Sequence, residues 1–279
     1  MNPCLNVCSL LVSQINRDRS HRRQHKDKEQ THGTNSYSSG AEYSGCENDR
    51  KQSNTRPTQR YTDCPSNRRP VMKLYTFDAA PNPARLRMFM QYKGISLDTV
   101  QIDLGAEEQL GEAYRAIVPE ATVPALVLDD STVLCSVISI AHYLESQYPD
   151  KPLLGRTPEE RARVLNWNLR LYSDIFAAAA DAFRNGHPNY VDRALPGPVN
   201  VAQLPGLVER GRTRLIAGLE IINETLADSA FLAGDTFSFA DIDLLAAIDF
   251  AKWGARLTPD ESLTHLHRWR GEAKAALAK

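Results

Sequence analysis

The segment that most limits the possible folds runs from residue 123 to residue 145, "VPALVLDDSTVLCSVISIAHYLE". Its apolar run from Ala125 to Leu128 lacks polar alternation, which is typical of a strand covered on both faces. The acidic residues that follow favour a tight turn, and β character resumes at residues 132–134. Apolar residues then recur at helical spacing from Val137 to Leu144. A proline-led hairpin therefore runs directly into the start of a helix, with Ser136 placed to cap it.

Strands and helices alternate before this hairpin. The order is a strand "MKLYTF", a helix "PARLRMFMQYKG", a strand "DTVQID" and a helix "EEQLGEAYRAI". The first helix is expected to start after Pro81, Asn82 and Pro83 and to end at Gly94. Such an order requires a mixed sheet with helices on its faces.

Residues after 156 carry only helical patterns. A long helix is expected over residues 157–185, then a Pro/Gly-rich loop "ALPGPVNVAQLPG", then helices near 206–227, 238–255 and 260–278. The predicted fold class is therefore an α/β domain followed by an all-α helical-bundle domain.

Composition sets the first 70 residues apart. Residues 16–70 contain twelve Lys/Arg and seven Asp/Glu, whereas the rest of the chain holds 21 and 27 of the totals of 33 and 34. We predict a disordered basic tail over residues 1–70, because it is polar and lacks apolar periodicity. Its basic runs are compatible with attraction to nucleic acid or an acidic membrane surface, or with a solvated extension. Met72 is expected to be a natural start of the folded chain.

Cysteine usage and hydropathy limit the cellular compartments with which the sequence is compatible. Four of the five cysteines lie in the tail and only Cys135 in the globule, so no disulfide framework or metal site is expected. No secretory signal or membrane-spanning run is recognisable. These features predict a cytoplasmic protein.

Four stretches together resemble the cytosolic glutathione S-transferase family of the bacterial type, over residues 72–279. "MKLYTFDAAPNPARLRMFM" resembles the family's first strand, catalytic turn and first helix, and "TVPAL" resembles its cis-proline loop. "DDSTVLCSVISIAHYLE" resembles the turn that holds glutathione. "AGDTFSFADIDLLAAI" resembles the capping-box helix of the second domain, with Ser238 and Asp241 at the spacing of a reciprocal cap.

The resemblance implies a thioredoxin-like glutathione-binding domain over residues 71–150 and an all-α domain over residues 156–279. It implies glutathione as co-substrate, no metal, a homodimer, and no nucleic-acid or membrane partner. Glutathione would pair through its backbone with Val123, beside a cis Pro124. Its glutamyl carboxylate would bind at Ser136 and Val137, where the family usually has a Glu-Ser pair, although Ser136 is also explained as a cap alone.

The thiol must lose its proton, because the thiolate is the nucleophile. The family's usual catalytic serine falls at Ala80, which has no donor in its side chain. The remaining candidates are Asn82, Thr76 and backbone N–H groups at the start of the first helix. Asn82 is equally well explained as a turn residue.

An electrophile pocket is expected between the domains. The long helix would contribute Trp167, Arg170, Tyr172 and Phe176, although aromatic residues at this spacing are also typical of a core.

Three functions follow as hypotheses. The first is a transferase that conjugates glutathione to a small hydrophobic electrophile. The second is a non-catalytic binding or assembly module of the same fold, suggested by the residues at positions 80, 136 and 137. The third, a disulfide-exchange enzyme, needs a cysteine that "DAAPNPAR" lacks.

Overall fold

The computed structural model describes residues 72–278, and the predicted tail over residues 1–70 lies outside this range. The described chain begins with a four-stranded sheet flanked by helices and continues as helices only. This order confirms the predicted fold class, a thioredoxin-like domain followed by an all-α domain.

The thioredoxin-like domain contains four strands and three α-helices within residues 72–278. The strands are β1 (Lys73–Thr76), β2 (Asp98–Gln101), β3 (Ala125–Val127) and β4 (Val133–Leu134). The helices are α1 (Pro81–Lys93), α2 (Glu112–Arg115) and α3 (Val137–Gln147). The strand order across the sheet is β2-β1-β3-β4, and only the β1–β2 pair is parallel.

Helix α1 ends at the predicted Gly94, but it begins at Pro81 and not after Pro83 as the sequence predicts. Pro81 opens it, and Gly94 closes it with a left-handed φ of 69°, while the Gly94 N–H donates to the Gln91 carbonyl. Glycine reaches this conformation without the strain that a Cβ would cause. Leu86 and Phe89 are fully buried in the main apolar core, where the Phe89 ring centre lies 5.2 Å from that of Phe239.

The predicted helix over "EEQLGEAYRAI" is wrong in its continuity. A single turn of 3₁₀-helix at Glu108–Leu110 is separated from α2 by Gly111, which is extended at φ −66° and ψ 151°. Glycine is a weak helix former, and here it interrupts the segment.

The long helix of the second domain is divided by a wider turn. It comprises α4 (Pro158–Leu171), a π-helical segment (Tyr172–Phe176) and α5 (Ala177–Gly186). A π turn inserts an extra residue and changes the direction of the side chains that follow. The helical span therefore agrees with the predicted residues 157–185, while its continuity does not.

Three further helices complete the all-α domain: α6 (Gly206–Thr225), α7 (Phe239–Gly254) and α8 (Thr264–Leu277). The predicted cap of α7 is present, because the Asp241 carboxylate accepts from the Ser238 N–H at 2.9 Å and from its hydroxyl at 3.0 Å. The same carboxylate accepts from Leu232 N–H and from the Trp269 indole N–H. Asp241 thus ties the start of α7 to the preceding loop and to α8.

Helix α6 approaches α5 closely at Gly211. A Cβ on Gly211 would lie 2.5 Å from the Ala178 carbonyl oxygen and 2.9 Å from the Ala182 nitrogen. Both are backbone atoms that cannot rotate away, so a larger residue would have to push the two helices apart.

Candidate functional site

The strand register brings three connections to one edge of the sheet. β1 and β3 pair with Tyr75 opposite Ala125, and β3 and β4 pair with Leu126 opposite Leu134. Because both pairs are antiparallel, the end of β1, the start of β3 and the end of β4 meet at the same edge.

The connections at that edge are the turn 77–80, the Val123–Pro124 peptide and the start of α3 at Ser136. The turn and the helix start lie on the two sides of β3, two strand spacings apart, or roughly 9.5 Å. An extended tripeptide spans roughly 10 Å. The separation of the two connections therefore matches the length of a short extended peptide.

The peptide bond between Val123 and Pro124 is cis. Pro124 is buried and Val123 is half-buried. Among the described residues, no backbone group bonds to the N–H or the C=O of Val123. These two groups are therefore available to pair with the backbone of an extended ligand.

The first turn of α1 is short of backbone donors. Pro81 and Pro83 have no N–H, and the Ala84 N–H donates to the Ala80 carbonyl at 3.0 Å. Ala80 occupies the cap position with extended backbone and no side-chain bond. Within residues 72–278, the Asn82 N–H is left without a backbone acceptor.

The side chain of Asn82 adds a second donor to the same turn. Its Oδ1 accepts from Arg85 Nη1 at 3.0 Å, and no acceptor in the described chain bonds to its Nδ2. Thr76, the other predicted candidate, is only 5% exposed. It shares a face of β1 with Leu74, which packs in the core. Asn82 is therefore the more accessible of the two.

The start of α3 offers several donors. Ser136 occupies the cap position and is exposed, yet its hydroxyl makes no capping bond. The capping role expected from the sequence is therefore not what holds this side chain. Val137 is buried and contributes its backbone N–H only. The first turn contains no acidic residue, so its positive end can hold an anion.

Cys135 lies directly before this helix start. Its Sγ is 3.5 Å from the Glu120 carboxylate, and burial together with that negative charge raises the pKa of the thiol to about 11. The sulfur therefore stays protonated at neutral pH and is a poor nucleophile.

Two other features, a metal-binding cluster and a membrane-spanning helix, are absent from residues 72–278. In residues 72–278, no group of three or more His, Cys, Asp and Glu side chains is placed to hold a metal ion. No helix in the same range is long and apolar enough to cross a membrane.

Two of the predicted pocket residues line a cavity of about 300 Å³ between α4 and α6. Trp167 is buried, and the Arg170 guanidinium lies 4.4 Å from the centre of its ring. Tyr172 is 54% exposed and lies outside the lining. Within the described chain, α4, the π-helical segment and α6 supply the whole lining, so this cavity lies within the helical domain, and an electrophile pocket between the domains stays a prediction. Phe176, by contrast, reaches α1, with its ring centre 4.8 Å from the Arg85 guanidinium.

A buried polar network joins α1 to the helical domain, and the sequence analysis missed it. Arg85 donates from Nε and Nη2 to the two oxygens of Asp243, each at 2.7 Å. Asn168 Nδ2 donates to the same carboxylate at 2.7 Å. Asp243 is fully buried in an apolar stretch of α7, and a buried carboxylate needs a partner. An aspartate within an apolar helix is therefore the sequence signal for such a network, but it does not show that the partner is Arg85.

One loop of the helical domain contacts the first domain. It connects α5 to α6 over residues 187–205 and includes a 3₁₀ turn at Pro188–Tyr190. Arg184 donates to the carbonyls of Arg193, Ala194 and Leu195. Arg193 in turn forms an ion pair with Glu107, in the segment that follows β2.

Comparison with known proteins connects this geometry to a family. The family model described as "Glutathione S-transferase, N-terminal domain" matches residues 74–152. The one described as "Glutathione S-transferase, C-terminal domain" matches residues 205–272. The first match contains the whole sheet edge, and the second contains α6, α7 and Asp243.

Individual relatives agree with these matches. "Glutathione S-transferase F9" of Arabidopsis thaliana is 30% identical over 189 residues, 64% of this chain and 80% of that protein. "Maleylpyruvate isomerase" of Ralstonia sp is 38% identical over 93 residues, 33% of this chain and 43% of that protein. The crystal structure of a glutathione S-transferase domain-containing protein from Marinobacter aquaeolei VT8 is 32% identical with a TM-score of 0.65, covering 73% of this chain and 97% of that one. The chain belongs to the glutathione S-transferase family.

Proposed function

We propose that this protein conjugates glutathione to a small hydrophobic electrophile, and that Asn82 stabilises the thiolate. The observation that carries the proposal is the concentration of donors on one residue. At the start of α1 no free donor comes from Pro81, Pro83 or Ala80. Asn82, by contrast, keeps both its N–H and its Nδ2 without an acceptor in the described chain.

The rest of the edge supports binding of the tripeptide. The open backbone groups of Val123 would pair with the cysteinyl residue of glutathione. The glutamyl carboxylate would bind at the start of α3, to the N–H of Val137 and the exposed hydroxyl of Ser136. The thiol would then lie beside the turn 77–80.

The chemistry needs a thiolate at neutral pH. The thiol proton passes to solvent, and the sulfur lone pair forms a bond to the electrophilic carbon. In substitution the leaving group departs with the electron pair of its bond to carbon; in addition the carbanion takes a proton from water. A hydrogen bond to a charged group contributes about 1.5–3 kcal/mol. Such a bond therefore lowers a thiol pKa by about one to two units.

The decisive experiment combines calorimetry with a pH–rate profile. Glutathione should bind the wild-type protein, and the rate with a generic aromatic electrophile should rise with pH until the bound thiol is ionised. Asn82→Ala should raise the apparent thiol pKa by about one to two units, and so slow conjugation at neutral pH about 10- to 100-fold. Asn166→Ala, at an exposed position of α4, is the matched control and should change neither value. A depressed thiol pKa that survives Asn82→Ala would refute the assignment.

The alternative function is a non-catalytic module. It is favoured by Ala80, Ser136 and Val137, which stand where the family usually has Ser, Glu and Ser. Glutathione binding without conjugation of any electrophile, or no binding at all, would support it. Because one relative is named an isomerase, maleylpyruvate belongs in the substrate panel, and turnover of that compound alone would replace the conjugation proposal.

We further propose that the protein is a cytoplasmic homodimer of two-domain chains, with domains over residues 71–150 and 156–279. Support comes from Leu165, Leu169 and Tyr172, which follow at intervals of four and three residues and form an exposed apolar stripe. The stripe would contact the first domain of the second copy. Sedimentation at micromolar concentration should show a dimer that Leu169→Glu dissociates, and a wild-type monomer would exclude it.

A further inference from the structure

The side chain of Asn82 is held in one orientation by its contact with Arg85. A guanidinium group has five N–H donors and no acceptor, so only the Oδ1 of Asn82 can face it. The Nδ2 must then point away from Arg85. The contact removes the ambiguity between the two ends of an amide that otherwise accompanies asparagine.

Arg85 is itself fixed on its other side. Its Nε and Nη2 donate in parallel to the Asp243 carboxylate at 2.7 Å, a two-point contact that leaves Nη1 free to reach Asn82. Asn168 donates to the same carboxylate at 2.7 Å. Arg85 is 2% exposed and Asp243 is fully buried, so water does not compete for these bonds.

From this chain of contacts we propose that Arg85, held by Asp243 and Asn168, is a positioning residue that aims the Nδ2 of Asn82 at the glutathione sulfur. The inference rests on the proposed function and adds a role for residues that do not contact the ligand. A hydrogen bond accepted by Oδ1 also polarises the amide, because bonds in series strengthen one another. Through Arg85, the helical domain therefore both orients the Nδ2 of Asn82 and strengthens the hydrogen bond that it donates to the sulfur.

A purely structural role for the buried pair predicts a different result. If Arg85 only joined the two domains, its replacement would lower the melting temperature and leave the ionisation of bound glutathione unchanged. The discriminating quantity is therefore the pKa of the bound thiol, followed through the ultraviolet absorbance of the thiolate in the full-length protein.

The variant to test is Arg85→Lys, which keeps the charge but cannot bond to Asp243 at two points and to Asn82 at the same time. The expected result is a thiol pKa raised by about one unit, which slows conjugation at neutral pH about tenfold. In the Asn82→Ala background, Arg85→Lys should produce no further shift, because its effect passes through Asn82. Arg87→Lys, on the exposed side of the same helix, is the matched control and should leave the pKa unchanged.

Two outcomes overturn the proposal while leaving the proposed function in place. One is a thiol pKa that responds to Asn82→Ala but not to Arg85→Lys. The other is a shift of equal size for Arg85→Lys with and without Asn82. If the wild-type thiol is not activated at all, the proposed function fails instead, whatever Arg85 does.

A measurement on the wild-type protein keeps the proposal testable even if Arg85→Lys does not fold. The Nδ2 proton resonances of Asn82 can be identified in a nitrogen-labelled sample by their loss in Asn82→Ala. Both should shift when glutathione is added, since one of the two protons would bond to sulfur. Resonances that do not move on saturation with glutathione would show that Nδ2 faces elsewhere, and the proposal would be wrong.

Discussion

Two helices begin at the same edge of the sheet, and their first turns differ in what they can hold. Helix α1 starts with Pro-Asn-Pro, so one residue supplies its backbone donor and its side-chain donor. Helix α3 starts with Val-Ile-Ser, and within the described chain no backbone acceptor bonds to these three N–H groups. A single sulfur needs one or two donors, whereas a carboxylate accepts at two oxygens. The proline pattern thus suits α1 to a thiolate, and its absence suits α3 to a carboxylate.

The comparison also explains how the family's usual side chains can be replaced. At α3 the proposed anion site would use backbone groups and the helix dipole, which do not depend on residue type. At α1 the two prolines have no N–H groups, so few backbone donors remain. Ala80 also lacks the hydroxyl of the family's usual serine, and a specific side chain would have to take its place. We therefore expect the α3 site to tolerate side-chain changes and the α1 site to depend on Asn82.

The largest effect should come from giving α3 the proline pattern of α1. Val137→Pro removes the N–H assigned to the carboxylate, at the first position of α3, where proline is compatible with a helix. Loss of one bond to a carboxylate should weaken glutathione binding about 10- to 100-fold in calorimetry. Val137→Ala keeps the N–H and serves as control. If both variants bind like wild type, the backbone of α3 does not hold the carboxylate.

A smaller effect should follow from restoring a hydroxyl to α1. Ala80→Ser adds a donor at the turn and should lower the apparent thiol pKa by about one unit, so that conjugation at neutral pH becomes faster. Ala79→Ser, at the exposed neighbouring position, should have no such effect. A pH–rate profile measures both, and an unchanged pKa in Ala80→Ser would mean that position 80 does not face the sulfur.

The smallest effect is expected on stability, from removing the hydroxyl at each of two helix cap positions, one that makes a hydrogen bond and one that does not. Ser238→Ala removes the hydroxyl bonded to Asp241 and should lower the free energy of unfolding by about 1 kcal/mol. Ser136→Ala removes a hydroxyl without a capping bond and should leave unfolding nearly unchanged. Denaturant titration of both variants tests the contrast, and equal losses would contradict it.

Local signals in the sequence were sufficient for most of the fold. Proline and glycine mark the two ends of α1, and Ser238 with Asp241 marks the start of α7, because both signals act within a few residues. The break between the two helical segments also has a local signal, because Gly111 is a weak helix former. The π-helical segment at Tyr172–Phe176 has no distinct local pattern, because its residues also suit an ordinary helix.

The site was less predictable than the fold. Asn82 was among the candidates, because it is close in sequence to the expected catalytic position. Its contact with Arg85 spans three residues, but the pairing of Arg85 with Asp243 spans 158 residues. Spacing cannot reveal such a contact, since it depends on how two domains pack. For the same reason, the spacing of aromatic residues on one helix could not show that the cavity beside Trp167 is closed by α6.

The ion pair between Arg85 and Asp243 also restricts how substrates can reach the site. Swinging the two domains apart would break the two-point contact of Arg85 with Asp243 and also the apolar contact of Phe89 on α1 with Phe239 on α7. Among residues 72–278, one ion pair joins the exposed loop over residues 187–205 to the first domain, between Arg193 and Glu107 at the surface, which is a much weaker constraint. Access is therefore expected through movement of this loop and not through a hinge between domains. Hydrogen exchange during turnover should slow or quicken in that loop, and a comparable change at the contact of α1 with α7 would argue for the hinge.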